Sequence, residues 1–183
     1  MRKIKSLISL ILVLVISLSF ASCEKRVSEK EATELVKELV KESYELNDIL
    51  YGEGLSYIET ESQSKYAPVD MNERYTTLYS LKEKMKEVFS SSYANSLIEY
   101  IFSYSPGVYG GGTLPRYEEQ GGWIVVLKEY EKREVTEYNY DTVKIEKIKR
   151  KEIRATIKST ENEVVEIVLV KELDGWRLDS ATV

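Results

Sequence analysis

Histidine is absent from these 183 residues, and cysteine occurs once, at Cys23. The first absence removes Ser-His-Asp and Cys-His catalytic arrangements and any histidine-bearing zinc site. The second removes an internal disulfide, so a packed core has to carry stability. Phenylalanine is scarce as well, three residues against fourteen tyrosines, and a tyrosine keeps one end wet where a phenylalanine does not. No P-loop, GxGxxG or EF-hand loop pattern is present. Carboxylates, tyrosine, lysine and serine are what remains for chemistry, and no cofactor or metal is implied.

Long apolar runs are also few. One stands out, Leu7 to Phe20, interrupted only by serines. It is short for a membrane span, which takes about 20 apolar residues. Arg2, Lys3 and Lys5 precede it, and small Ala21 and Ser22 follow, the order of a secretory signal peptide over residues 1–22. Phe20-Ala21-Ser22-Cys23 resembles a bacterial lipobox, with phenylalanine where leucine is usual. That resemblance implies diacylglycerol on Cys23, an exported chain, and attachment to the outer face of the cytoplasmic membrane. Two or more acyl chains anchor stably where one binds marginally. A lone unpaired thiol outside the cell is otherwise a liability.

Without the leader 161 residues remain, 23 basic against 31 acidic, a net charge of −8. Phosphate backbones need a basic footprint, so nucleic acid is not an expected partner. Residues 23–27 read as a lipidated tether and 28–183 as one domain, a size that buries about 70% of its unfolded surface.

Ser28-Glu29-Lys30-Glu31 forms a capping box. Ala32, Leu35, Val36, Leu39, Val40 and Tyr44 then follow at helical spacing, and Gly52 and Gly54 punctuate the end. Ser80-Leu81-Lys82-Glu83 reads as a second box, opening a helix with Leu81, Met85, Val88 and Phe89 inward. The serines after Phe89 break it and cap a third helix. From Trp123 the pattern becomes β. "WIVVL" is a short strand, and a parity slip at Ile148 within a long strand from Val143 to Ile157 marks a bulge. "VVEIVLVKE" is continuous enough to be central, and Asp174-Gly175 signals a hairpin. Helices followed by an antiparallel meander predict an α+β domain, N-terminal helices packed on a bent, cone-like sheet.

Two charged groups carry little. Glu118-Glu119 suggest the paired carboxylates of glycoside hydrolysis, but adjacent acids are common in so acidic a chain and read as solvated. "KIKRKEIR" (Lys147 to Arg154) invites a phosphate, yet alternation on a half-buried strand gives the same pattern. The segment of interest is Ser103 to Trp123. Its Ser105–Gly121 stretch reads as a long glycine-rich loop, a type that is often functional. Tyr109, Arg116, Tyr117 and Trp123 are its candidate partner-binding residues, because aromatic and arginine side chains dominate recognition surfaces.

"EATELVKELVKESYEL", "YTTLYSLKEKMKEVFSSSYANSLIEYIF", "PRY" and "KELDGWRLDSATV" resemble small exported lipoproteins of Firmicutes. The layout is similar to the nuclear transport factor two-like or cystatin-like cone, and the middle stretch resembles the D,L-endopeptidase-inhibitor family. The resemblance implies a lipid-anchored, non-enzymatic binding or inhibitory protein of the cell envelope, with a cell-wall hydrolase as partner. The alternative is a small-molecule binder or histidine-free enzyme using the concave face, with a buried acid beside a tyrosine in an apolar pocket.

Overall fold

The computed structural model describes residues 27–59, 63–103 and 114–182. The leader, Cys23 and Tyr109 lie outside the described residues.

Helix α1 spans Glu29–Leu50. Its start is the expected capping box: the Ser28 hydroxyl accepts from the Glu31 amide, and the Glu31 carboxylate accepts from the Ser28 amide at 2.8 Å. The buried stripe runs Ala32, Val36, Leu39, Val40, Ser43, Leu46, Asn47 and Leu50. It passes through Ser43 and Asn47 rather than Tyr44, whose hydroxyl instead donates to Glu137 at the half-buried edge. Asn47 is tolerated in the core because its Nδ2 donates to the carbonyl and hydroxyl oxygens of Thr182, each at 3.0 Å.

Helix α2 (Leu78–Val88) begins earlier than its serine box suggests. Thr77 is the N-cap, its hydroxyl accepting from the Ser80 amide at 3.2 Å, so Ser80 sits inside the first turn. Leu81, Met85 and Val88 point inward as expected; Phe89 is also buried, but as the extended residue that ends the helix. Helix α3 (Ser91–Phe102) is capped by Ser90. Its orphan donors are met from the far end of the chain. The Ser91 amide and hydroxyl donate to Glu172 at 2.7 and 2.8 Å, and the Ser90 hydroxyl bonds Asp179.

The strands form two antiparallel sheets, not one meander from Trp123 onward. The smaller places β3 (Trp123–Leu127) between β1 (Tyr66–Pro68) and β2 (Tyr117–Gln120). The larger is a meander of β4 (Tyr138–Ile148), β5 (Glu152–Ser159), β6 (Val164–Lys171) and β7 (Trp176–Leu178), with β6 interior as its sequence indicated. The expected bulge is present in β4: Ile145 pairs with Ala155 and Ile148 with Ile153, three steps against two. A turn over residues 149–151 divides what reads in sequence as one long strand.

Register explains the core. Ile148, Ile153, Leu169 and Leu178 stand side by side across the four strands, and Ile145, Ala155 and Ile167 form a second row. The apolar stripe of α1 covers this face, packing against β4 and β7. The α+β expectation of a helix laid on an antiparallel sheet holds. The opposite face carries Arg154, bonded to Glu152 and Glu166 at 3.1 and 2.9 Å. Lys149, Arg150 and Lys151 of the basic run lie instead in the turn between β4 and β5, so the strand-face expectation holds only for the ends of the run. Lys149 and Arg154 together hold the Glu152 carboxyl down to about 2.

Candidate functional site

Two of the nominated residues, Tyr117 and Trp123, fall on the smaller sheet and Arg116 directly precedes it; here the Ser105–Gly121 loop expectation is corrected. Tyr117 to Gln120 is strand β2, turning into β3 through Gly121 and Gly122. Both glycines have positive φ, +61° and +84°, which the two-residue hairpin turn needs and side chains resist. "EEQGGW" therefore contained a legible hairpin signal, Gly-Gly ahead of a β-branched run, that the loop reading passed over.

The consequence for the side chains is large. Tyr117 is fully buried. Its hydroxyl donates to the Ile49 carbonyl at 2.8 Å and accepts from the Leu55 amide at 3.0 Å, closing the chain just beyond α1. Burial pushes its phenol up to about 12. As a strand residue with both hydrogen-bonding roles filled inside the fold, Tyr117 is a core staple and not a displayed contact. Trp123, beside the hairpin turn, is half exposed. Tyr109 lies outside the described residues.

Arg116 is the unexpected member. It is only 3% exposed, although it directly precedes β2 in a polar stretch. One nitrogen, Nη2, donates to the Gly52 carbonyl at 2.8 Å. The guanidinium lies 4.5 Å from the Tyr130 ring centre and 5.6 Å from that of Tyr117, a cation between two aromatic rings. Nε and Nη1 are buried and have no hydrogen-bond partner. No ion pair is formed by Arg116 among the described residues. Its charge adds a minor pull on the exposed Glu53 carboxyl, which the Lys132 ammonium, through its hydrogen bond, holds below the usual carboxylate range.

The close approach is built into the turn after α1. Gly54 has φ +84°, and a β-carbon there would meet Arg116 Nη2 at 2.2 Å and the Tyr117 hydroxyl at 2.9 Å. Only glycine supplies both the backbone conformation and the space.

Arg116 lines a cleft of about 1150 Å³. The end of α3 contributes Glu99, Tyr100 and Ile101, followed by Ser103; Leu114 and Pro115 lead to Arg116. The other wall is Leu127 through Glu131, with Arg133, where the chain leaves β3 without regular structure. That wall is fastened by the Arg133 amide on the Tyr51 carbonyl at 2.9 Å and the Lys128 amide on the Lys65 carbonyl at 3.0 Å. Tyr66 secures the floor, donating to the Pro115 carbonyl at 2.7 Å, with its phenol raised well above the ordinary value by burial and by Glu118.

Neither a family model nor a curated protein matches the chain. A buried guanidinium with unused donors stabilises negative charge and has no means to move protons. Among the described residues no aspartate or glutamate is buried, and no group of acids, cysteines or histidines is placed to hold a metal. The inner face of the larger sheet is filled by core side chains rather than opened as a pocket. The small-molecule alternative thus finds neither its concavity nor its buried acid there.

Proposed function

We propose that this protein is a lipid-tethered binding protein of the bacterial envelope, exported by its leader and held at the membrane through Cys23. Its working surface is the Arg116 cleft, with Trp123 exposed at the far, turn end of the hairpin whose other end borders the cleft. The observation that carries the reading is the position of Ser103 and Leu114. Both belong to the segment Ser103 to Trp123 singled out in the sequence, and both line the cleft that is also lined by a buried, incompletely bonded arginine. Arginine and aromatic side chains grouped in a concavity are the usual anchors of recognition. Tyr100 supplies an exposed aromatic at the cleft, 67% accessible. No described helix is long and apolar enough to cross a membrane, and on this reading the acylated cysteine supplies the attachment.

The resemblance to exported lipoproteins and to D,L-endopeptidase inhibitors names a cell-wall hydrolase as the partner to try first. Soluble protein from residue 24 to 183 is expected to slow digestion of cell walls by a D,L-endopeptidase, and the Tyr100→Ala/Trp123→Ala variant to slow it less. Full-rate digestion at saturating native protein removes the hydrolase. Failure of the same protein to retain any envelope component removes the binding reading itself. Release of the Cys23→Ala chain from membranes checks the tether.

A further inference from the structure

We infer that the Arg116 cleft takes the terminal carboxylate of a peptide. This inference rests on the reading of the cleft as the working surface and gives that surface its ligand chemistry.

A guanidinium taken out of water without an anion is unfavourable, because its lost hydration is returned only by what it meets inside. Arg116 meets one carbonyl and two aromatic rings, which leaves Nε and Nη1 unsatisfied. A structural arginine of this burial normally has its fork filled. Here the fork is held in place by Gly52 and by the space at Gly54, and its free donors are shielded from water although Arg116 is one of the residues that line the cleft. A carboxylate has the planar, two-oxygen shape that such a fork bonds in parallel, with charge-assisted hydrogen bonds about twice as strong as neutral ones.

Two features select among anions. The rim mixes Glu99, Glu129 and Glu131 with Lys65, Lys128 and Arg133. A balanced rim gives no excess field for a dianion, so a carboxylate is favoured over a phosphate. The rim acids are also acceptors for amide N–H groups, which a peptide offers behind its terminus and a simple organic acid does not. The cleft's volume agrees, since pockets for small molecules run to about 1,000 Å³ and this one, at about 1150 Å³, is somewhat larger. The ring of Tyr130 covers the guanidinium from a stretch without helix or strand. It is the group that turns aside to admit the ligand.

The test uses the unmodified soluble chain, acetyl-trialanine as probe, its carboxamide as control, and inorganic phosphate as the competing anion. Binding is followed through the side-chain Nε–H resonance of Arg116 in nitrogen-15-labelled protein, assigned through bonds so that no variant has to fold. The acid is expected to move that resonance and to bind about tenfold or more tightly than the amide, the gap set by charged hydrogen bonds. Equal binding of acid and amide, an unmoved Arg116 signal, or phosphate binding as well as the acid each overturns the inference. Hydrolase inhibition or envelope capture that persists after such a result leaves the binding reading standing and shows that the ligand chemistry alone was misassigned.

Discussion

The two sheets solve the same burial problem differently. On the four-stranded sheet, side chains at alternate positions align in apolar rows under α1, and the buried polar groups nearby, Asn47 and Ser159 among them, are hydrogen-bonded. The three-stranded sheet also buries Ile124, Val125 and Val126, yet it keeps beside them a cation with two unused nitrogens. Among the described residues these are the only buried side-chain nitrogen or oxygen atoms without a partner. Where one part of a fold is fully satisfied and another conspicuously is not, the unsatisfied part is where a ligand has something to add.

The sharpest way to break that contrast is to damage each side and compare. Leu169→Ala, in the wholly buried row of the large sheet, is expected to lose about 2–5 kcal/mol in urea unfolding through lost contacts and the cavity left behind. A loss well under that range means the large sheet is not the stable half.

Tyr117→Phe keeps the ring but strands the Leu55 amide, an expected loss of about 1–3 kcal/mol. An unchanged unfolding midpoint removes the stapling role given to that hydroxyl.

Alkali probes the same region. Burial raises the phenols of Tyr51 and Tyr117 from 10 to about 12 in the folded chain. The folded state therefore holds these protons after the unfolded chain has released them. Their contribution is complete below pH 10 and is lost as pH rises toward 12. Unfolding midpoints measured across that interval should fall, and fall less steeply in Tyr117→Phe. A flat profile contradicts the burial of these two groups.

Arg116→Met is the smallest expected change in stability and the most informative one. Replacing a buried, partly bonded cation by an apolar side chain of similar length is expected to leave stability within about 1 kcal/mol of native, or to raise it. The same change is expected to abolish carboxylate binding. A strongly destabilised variant would make Arg116 a structural clamp and erase the distinction between the two sheets.

Much of the fold was legible because it is local. The capping box at Ser28, the serine cap at Ser90, the alternation of Ile153, Ala155 and Ile157, and the β4 bulge all repeat within a turn of helix or a few strand residues. Thr77 replaced Ser80 as a cap because threonine and serine offer the same hydroxyl three residues apart, and only packing chooses between them. The candidate site was legible in part. The segment around Arg116 drew notice for its composition, but Tyr117 belongs to the core, and the loop contained a strand.

Periodicity alone thus fixed that a helix lies on a β meander, because backbone hydrogen bonding imposes short repeats on any chain that buries one face. It did not fix which arginine is buried. That depended on Gly52, Tyr130 and the open space at Gly54 meeting Arg116 from elsewhere in the chain, the first of them 64 residues away. Contacts at such separations leave no repeat for a sequence to show, and they became visible only when the chain was closed upon itself.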